Sequence, residues 1–289
     1  MVLDKGLTGS PHIRYAAAKA SAVSGQLGRL LPKTSIAKDR KRRLLGTVAE
    51  NIMLYAAVTW SKAREKKCNH ILINRCQRQS ALRLARCNRT VSTNAAILLA
   101  QQLPWILKAQ ARAKQAAYKE AVQSGANPPS PIEEAWEEWA HTWSNIGPGD
   151  PGHWTRTLIP NPIVWYATRH MSLTYPLAQF LSGQGHFAAY LFKIGKLPSP
   201  LCYICNSGST DDVRHTFEEC PGSASDRLIL ASSIRIPEPI SCEMLAEQLM
   251  SNPDSWGPIA RFARVVLEAK ESFLSSGTTQ SAPTQAPAI

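Results

Sequence analysis

One short stretch, residues 201–221 (LCYICNSGSTDDVRHTFEECP), constrains this chain more than any other part of it. It contains Cys202, Cys205, His215 and Cys220 in a C-x2-C-x9-H-x4-C array. Three thiolates and one imidazole complete a tetrahedral zinc site, and the C-x2-C spacing lets both sulfurs face one ion. Because protein would fill all four positions, the array predicts a structural Zn²⁺ site and not a catalytic one.

The spacing within this stretch supports the same interpretation. The gap between His215 and Cys220 places both side chains on one side of a helical turn. The loop at residues 206–212 is polar, as expected for a chain that folds over an ion. The alternative is that reduced cysteines and a histidine lie close together by chance. We favour zinc because four potential ligands occur within 19 residues.

Composition and the pattern of apolar residues limit the classes of protein to which this chain can belong. A chain of 289 residues can bury one large core or two modest ones. The seven cysteines do not resemble a secreted disulfide framework, and the N-terminus lacks a basic-then-apolar signal. The most apolar window, residues 44–60, is shorter than a membrane span and contains Glu50 and Asn51. We therefore expect an intracellular protein, nuclear or cytoplasmic, without a membrane partner.

Charge is distributed unevenly along the chain. The net charge is +12, but residues 1–120 hold 23 Lys or Arg and 5 Asp or Glu, a balance of +18. Residues 121–289 hold 10 and 16, a balance of −6. A basic half of this size attracts polyanions, and each neutralised phosphate releases counterions. RNA or DNA is thus the favoured partner, and a solvated basic face without a partner is the alternative.

Two segments of the basic half are candidate phosphate contacts. Residues 69–89 are predicted to form one helix, with Ile73 and Cys76 on its apolar side. Five arginines fall within an arc of about 140° on the opposite side, namely Arg75, Arg78, Arg83, Arg86 and Arg89. The second segment is the basic run Arg40, Lys41, Arg42 and Arg43. This run could equally be a nuclear localisation patch or a solvated helix end. Its three alternatives stay open on sequence alone.

Apolar periodicity predicts a mainly α fold, because alternating strand patterns are scarce. Helices are predicted at residues 11–31, 38–64, 69–89, 90–100, 105–122, from 130 onwards, 173–182, 186–193, 224–234, 242–250 and 256–273.

Trp136, Trp139 and Trp143 form a stripe that we interpret as a buried helix face and not as a base-stacking platform. Cys68, Cys76 and Cys87 are predicted core fillers, because they lack metal-ligand spacing.

No common catalytic motif is present in the sequence. It contains no phosphate-binding loop, no dinucleotide turn and no nucleophile elbow. Asp211 and Asp212 are the one acidic pair that resembles a two-metal polymerase site. We reject this pair as catalytic, because it lies between two zinc ligands and has no predicted strands around it. The residues alone indicate a binding chain and not an enzyme.

Several blocks, in their order, resemble the C-terminal part of the reverse transcriptase polyprotein of arthropod non-LTR (LINE-type) retrotransposons. The resemblance covers roughly residues 2–270. Its blocks are VLDKGLTGSPHI, KDRKRRLL with MLYAAVTW, INRCQRQSALRLARCNRTVSTNAA, WTRTLIPN, LTYPLAQFLSGQGHFAAYLFKIG and the Cys/His array. The first three are similar to the segments that follow the polymerase active site, including the thumb helices. No single block is decisive, but their order is specific.

The change in charge and composition near residue 126, the low-complexity end of the chain and the resemblance together imply a domain organisation. The expected parts are a basic, helical, thumb-like domain at 1–125, a helical connecting region at 126–200, a CCHC zinc knuckle at 201–222, C-terminal helices at 223–274 and a disordered tail at 275–289. The polymerase palm and the endonuclease would lie upstream in an intact element and are absent here. Because the chain starts within the thumb-like part, we expect a truncated copy, a gene-model fragment or a domesticated remnant.

The resemblance also implies a function. This part of the polyprotein would hold template RNA or target DNA during target-primed reverse transcription, with no polymerase activity of its own. Its zinc ligands would be the four residues of the array, and the two basic segments would contact the nucleic-acid backbone. The rival hypothesis is a helical scaffold that zinc stabilises for protein–protein interaction. A metal-dependent hydrolase is disfavoured, because four protein ligands leave no open metal position.

Overall fold

The computed structural model describes residues 2, 4–6, 8–30, 32 and 39–278. These residues form a mainly α fold and contain no β-strand. The helices are α1 (Ser10–Leu30), α2 (Asp39–Met53), α3 (Ala57–Trp60), α4 (Lys67–Leu84), α5 (Thr93–Leu99), α6 (Trp105–Gln123), α7 (Pro131–Ser144), α8 (His153–Leu158), α9 (Pro162–Ala167), α10 (Tyr175–Ser182), α11 (Ala188–Lys193), α12 (Ala224–Ile234), α13 (Cys242–Ser251) and α14 (Trp256–Thr278). The mainly α prediction is confirmed.

The chain divides into two compact units, Met1–Ala178 and Gln179–Ile289. We call these the first unit and the second unit. The domain limits expected at 125/126, 200/201 and 222/223 stay predictions. The basic half of the sequence lies in the first unit, and the Cys/His array lies in the second.

The first unit is built on close contacts between α1, α2 and α4. The face of α1 towards these helices carries small buried residues, Ala16, Ala17 and Ala20. Small side chains let helix axes approach closely, and the remaining volume is filled by larger residues such as Met53 and Trp60. This core fixes the positions of the basic helices α2 and α4.

The single helix predicted for residues 38–64 is wrong. Helix α2 ends at Met53, and Ala56 adopts a left-handed conformation (φ 52°) before the short helix α3. The break releases the Tyr55 carbonyl, which accepts a hydrogen bond from Nε1 of the buried Trp60 at 2.9 Å. A buried indole N–H usually has a hydrogen-bond partner, and for Trp60 the break supplies one.

The predicted helix at 69–89 also ends earlier, at Leu84. Arg86 takes a left-handed conformation (φ 56°), and the Cys87 N–H donates to the Leu82 carbonyl at 2.9 Å. This 6→1 bond defines a Schellman termination, with arginine in the position that glycine usually fills. Arg86 and Arg89 therefore lie beyond the helix, and the five arginines do not share one helical face.

Other local predictions are confirmed. Ser92 caps α5, because its side chain accepts a hydrogen bond from the Ala95 N–H at 3.2 Å. In the tryptophan stripe of α7, Trp139 and Trp143 are buried, and Trp143 Nε1 donates to the Ile159 carbonyl at 2.8 Å. Trp136, the first member of the stripe, is only half-buried.

Two local predictions differ from the structure, one about a cysteine and one about the C-terminal tail. Cys76 and Cys87 are buried as expected, but Cys68 is exposed. It lies in the first turn of α4, on the side that faces solvent. Residues 275–278 continue α14 instead of starting a disordered tail. The rest of the predicted tail, 279–289, lies outside the described residues.

Candidate metal centre

The first two ligands lie on a tight turn at residues 200–211. Leu201 and Thr210 form an isolated antiparallel bridge, and the Cys202 N–H donates to the Ser209 carbonyl at 2.9 Å. Asn206 and Gly208 adopt positive φ angles of 51° and 79°, which lets the chain reverse within a few residues. The turn brings Cys202 and Cys205 to one side of the backbone.

The other two ligands are joined by a π-helical turn, His215–Glu219. Its i→i+5 hydrogen bond runs from the Cys220 N–H to the His215 carbonyl at 2.6 Å. In an α-helix, residues five apart would point about 140° away from each other. The wider π turn reduces this offset, and a ring nitrogen of His215 and Sγ of Cys220 lie within 4.8 Å of each other. The spacing alone did not indicate this π turn. Such turns are frequent at functional sites.

The four ligand atoms form a compact cluster. Sγ of Cys202, Sγ of Cys205, one ring nitrogen of His215 and Sγ of Cys220 all lie within 4.8 Å of one another. Cys202 Sγ and Cys220 Sγ are 3.9 Å apart, and Cys205 Sγ is 3.4 Å from His215 Nε2. Zinc–sulfur bonds of about 2.3 Å in a tetrahedron separate two sulfurs by about 3.8 Å. The donor set and its spacing therefore fit a four-coordinate zinc ion.

The histidine ring is oriented for this role. Its Nε2 faces the sulfurs, while Nδ1 is buried and lies 3.7 Å from Oε2 of Glu219. Nδ1 makes no hydrogen bond to a described residue. A metal-bound histidine usually directs its second ring nitrogen at a carboxylate, which fixes the ring. Glu219 is placed to do this after a small side-chain movement.

The thiols of the cluster differ in acidity. The Ser207 hydroxyl, 3.1 Å from Cys205 Sγ, lowers the pKa of Cys205 to about 6. Burial raises the pKa of Cys220 to about 12. Because metals bind thiolates, a cation at the centre of the cluster would supply the charge that lets Cys220 lose its proton.

The acidic pair within the array supports the fold of the cluster. Asp212 Oδ1 accepts a hydrogen bond from the His215 N–H at 2.8 Å and so caps the turn that carries this ligand. Asp211 is fully buried and accepts from the Ala188 N–H at 2.8 Å and from Thr216 Oγ1 at 2.9 Å. Its charge is compensated by an ion pair with the buried Lys270. Both carboxylates therefore have structural roles.

Further contacts join the cluster to the helices of the second unit. Arg227 donates to the Cys220 carbonyl at 2.8 Å, and the Cys242 N–H donates to Glu218 at 2.7 Å. Phe217, inside the π turn, packs on an aromatic group formed by Phe180, Phe187 and Phe262. The array is thus part of the core of this unit and not an isolated finger.

The predicted phosphate contacts are scattered in the structure. Lys41, Arg75 and Arg89 are exposed, Arg43, Arg78 and Arg83 are partly exposed, and Arg42 and Arg86 are buried. The side chain of Arg40 lies outside the described part of the chain.

Several of these arginines are used within the fold, among them Arg42 and Arg78. Arg42 donates to the carbonyls of Arg83 and Pro32, which joins α2 to the end of α4. Arg78 donates to the carbonyls of Val91 and Arg89 at 2.5 Å each. Partial burial also lowers the pKa of Arg78. These side chains brace the loop after α4, a role that the sequence pattern did not indicate.

Two known proteins are similar in sequence to most of this chain. The Retrovirus-related Pol polyprotein from type-1 retrotransposable element R1 of Bradysia coprophila is 25% identical over 228 residues, 73% of this chain and 22% of that protein. That of element R1 4 of Nasonia vitripennis is 26% identical over 251 residues, 78% of this chain and 59% of that protein. The chain is homologous to a region of arthropod R1 Pol polyproteins. The resemblance to arthropod non-LTR retrotransposon polyproteins is thereby confirmed.

The R1 relationship has clear bounds. The match spans less than two thirds of either R1 relative. No protein-family model matches the chain, and no solved structure matches it. Among the residues that the structure describes, none of the helices combines the length and the hydropathy of a membrane span.

The sequence pattern picked out the four candidate ligands that the structure brings together but missed most of the residues that support them. Lys270 compensates Asp211 from 59 positions away, and Glu219 approaches the His215 ring. The Lys270–Asp211 contact follows no motif or helical period, whereas Glu219 stands four residues after His215, an i,i+4 spacing that the sequence shows. The Asp212 cap, three residues before the residue whose N–H it binds, is a second supporting contact that the sequence alone could have suggested.

Proposed function

We propose that the chain is the C-terminal, nucleic-acid-binding part of the RNA-directed DNA polymerase of a non-LTR retrotransposon. In this role it holds template RNA or target DNA during target-primed reverse transcription. The palm and endonuclease lie upstream in an intact element. The observation that carries the proposal is the similarity to R1 Pol polyproteins over 73–78% of the chain. The +18 balance of residues 1–120 supports a polyanionic partner.

The proposal includes one structural Zn²⁺ per chain, held by Cys202, Cys205, His215 and Cys220. Compact spacing, the orientation of His215 Nε2 and the absence of disulfides among the described cysteines support it. With four protein ligands, the ion stabilises the fold and offers no position for substrate. Nucleic acid would instead contact exposed cations of the first unit, such as Lys41, Arg75 and Arg89.

The proposal is tested by measuring zinc content and nucleic-acid binding in parallel. Purified wild-type chain, Cys205→Ser and the control Cys68→Ser are assayed with single-stranded and duplex RNA and DNA across a salt series. We expect one zinc per chain in the wild type and in Cys68→Ser, and loss of zinc in Cys205→Ser. Binding by the wild type should weaken steeply as salt rises, because phosphate contacts release counterions. A wild type that binds neither RNA nor DNA at low salt would refute the proposal.

A helical scaffold for protein–protein interaction is the second candidate. It is supported by Arg42 and Arg78, whose guanidinium groups bind backbone carbonyls and are not free for phosphate. The two candidates differ in their response to salt. A scaffold would bind zinc but show no salt-dependent affinity for RNA or DNA, whereas the nucleic-acid-binding part would show both.

A further inference from the structure

A cleft of about 430 Å³ lies in the first unit, and Arg43 is the member of the predicted basic segments that lines it. Helices α2, α6 and α7, the end of α4, the turn between α5 and α6, and the segment around the end of α9 form its walls. Its volume lies within the range of small-ligand sites. Leu84, Ala100 and Leu103 make part of its lining apolar.

An aromatic pair forms one wall of the cleft. The rings of Trp136 and Tyr166 have centroids 4.3 Å apart and are inclined at 41°. Trp136 is half-buried, and Tyr166 is 39% exposed. In contrast to the buried Trp139 and Trp143, this pair offers ring surface to a ligand. Aromatic faces of this kind stack unpaired bases in a sequence-tolerant way.

The aromatic wall is held in place from behind. Gln101 adopts a left-handed conformation (φ 52°) in the turn after α5. Its Nε2 donates to the carbonyls of Trp165 and Thr168 at 2.7 and 2.8 Å, and so anchors the end of α9. Tyr166 and Arg169 are carried by this anchored segment. The wall is therefore pre-organised, which lowers the entropy lost when a ligand binds.

The cleft carries an excess of positive charge. Its charged lining residues are Arg43, Glu50, Lys108 and Arg169. Glu50 is paired with Lys108. Arg43 is partly exposed and Arg169 is exposed, and neither makes an ion pair with a described residue. Two unpaired guanidinium groups beside an aromatic wall suit phosphate and base together.

We propose that this cleft binds an unpaired nucleotide of single-stranded RNA or DNA. The base stacks on the Trp136–Tyr166 pair, and Arg43 and Arg169 bind the flanking phosphates. The inference rests on the proposed nucleic-acid-binding function and adds to it a defined single-strand site. An acidic peptide, the other ligand that two arginines attract, has no base for the aromatic wall.

The test compares intact and abasic single strands. Wild type, Trp136→Leu, Arg169→Ala and the control Tyr15→Leu are titrated against labelled oligo(dT) and oligo(rU), and against oligomers with abasic sites. Tyr15 is 53% exposed on α1 and does not line the cleft. We expect wild type and Tyr15→Leu to bind intact strands at least tenfold more tightly than abasic ones. Trp136→Leu should lose this preference, and Arg169→Ala should weaken binding to both. Comparing dT with rU shows which sugar the site accepts.

The outcomes separate this inference from the proposed function. If wild type binds strands with a steep salt dependence but does not distinguish intact from abasic ones, the cleft proposal fails and nucleic-acid binding stands. If Trp136→Leu, Arg169→Ala and Tyr15→Leu bind intact strands equally well, the cleft proposal also fails and nucleic-acid binding stands. If wild type binds no strand, both proposals fail. Because Arg169 is exposed, Arg169→Ala tests the cleft even if Trp136→Leu folds poorly.

Discussion

Asp211 depends on a single distant residue for its charge balance. It is fully buried in the second unit, and Lys270, 2% exposed, supplies the compensating cation. The Lys270 ammonium also lies 5.3 Å from the centre of the Tyr203 ring, which stacks on Phe273. Removing one partner of a buried ion pair leaves the other charge uncompensated, which costs about 3–5 kcal/mol.

We predict that Lys270→Met lowers the free energy of unfolding by about 3–5 kcal/mol, measured by urea titration of the zinc-loaded chain. Combining it with Asp211→Asn should recover part of this loss, because the orphaned carboxylate is removed. Lys193→Met, an exposed lysine of the same unit, is the matched control and should be near neutral. A neutral Lys270→Met would show that the pair does not stabilise the fold.

A single methyl group at Gly222 should disturb the cluster. A Cβ there would lie 2.5 Å from Cγ2 of Ile204 and 3.6 Å from Sγ of Cys220. Ile204 is β-branched and lies between the first two ligands, so it cannot easily move aside.

We therefore predict that Gly222→Ala destabilises the chain by about 1–3 kcal/mol through overpacking and weakens zinc binding, measured by competition with a chromogenic chelator. Gly257→Ala is the control, because a Cβ at Gly257 meets no atom within 4 Å. It should be neutral or stabilising by up to about 1 kcal/mol, since alanine favours helix. Equal effects of the two substitutions would contradict the prediction.

At the scale of elements, the π-helical turn His215–Glu219 decides whether two of the ligands meet. Its i→i+5 hydrogen bond brings His215 and Cys220 close together, and the Asp212 side chain caps the start of the turn. A π turn is less favourable than an α-helix of the same length, so its geometry depends on caps and packing. Phe217 provides that packing from the middle of the turn.

We predict that Asp212→Ala destabilises the second unit by about 1 kcal/mol, the usual contribution of an N-cap, and lowers zinc affinity. Asp212→Asn should retain most of the stability, because asparagine also accepts a hydrogen bond from the N–H of residue 215. Thermal unfolding of both variants, with and without zinc, measures the difference. If Asp212→Asn lost as much stability as Asp212→Ala, charge and not capping would be the contribution of Asp212.

At the scale of the whole molecule, the basic half and the Cys/His cluster belong to different compact units. The cluster is connected to the core of the second unit through Arg227, Cys242 and the aromatic group around Phe217. Loss of the metal should therefore affect that unit far beyond the four ligands.

We predict that a chelator increases hydrogen exchange across residues 179–278 of the full chain and leaves residues 8–178 nearly unchanged. The physical reason is that zinc-binding free energy contributes directly to the stability of the unit that contains the ligands. Mass spectrometry of peptic peptides provides the readout, and Cys68→Ser should respond like the wild type. Uniform deprotection of both units would contradict this expectation.

The sequence by itself determined the four candidate ligands, the Ser92 cap, the buried stripe at Trp139 and Trp143, and most helices. These features depend on the spacing of a few neighbouring residues, because the period of a helix fixes which neighbours share a face. The asymmetric charge is likewise a property of composition. The order of the sequence blocks also pointed to non-LTR polyproteins, which the R1 relatives then confirmed.

Only the tertiary structure decided where helices break and what the charged side chains do. The left-handed residues Ala56 and Arg86 end helices that periodicity would have continued. Arg78 binds carbonyls within the fold, Lys270 joins Asp211, and Trp136 packs on Tyr166 in one wall of a cleft. Each of these depends on a partner brought close by folding, because burial creates the need for a hydrogen bond or counter-charge and the local sequence does not say which residue will meet it.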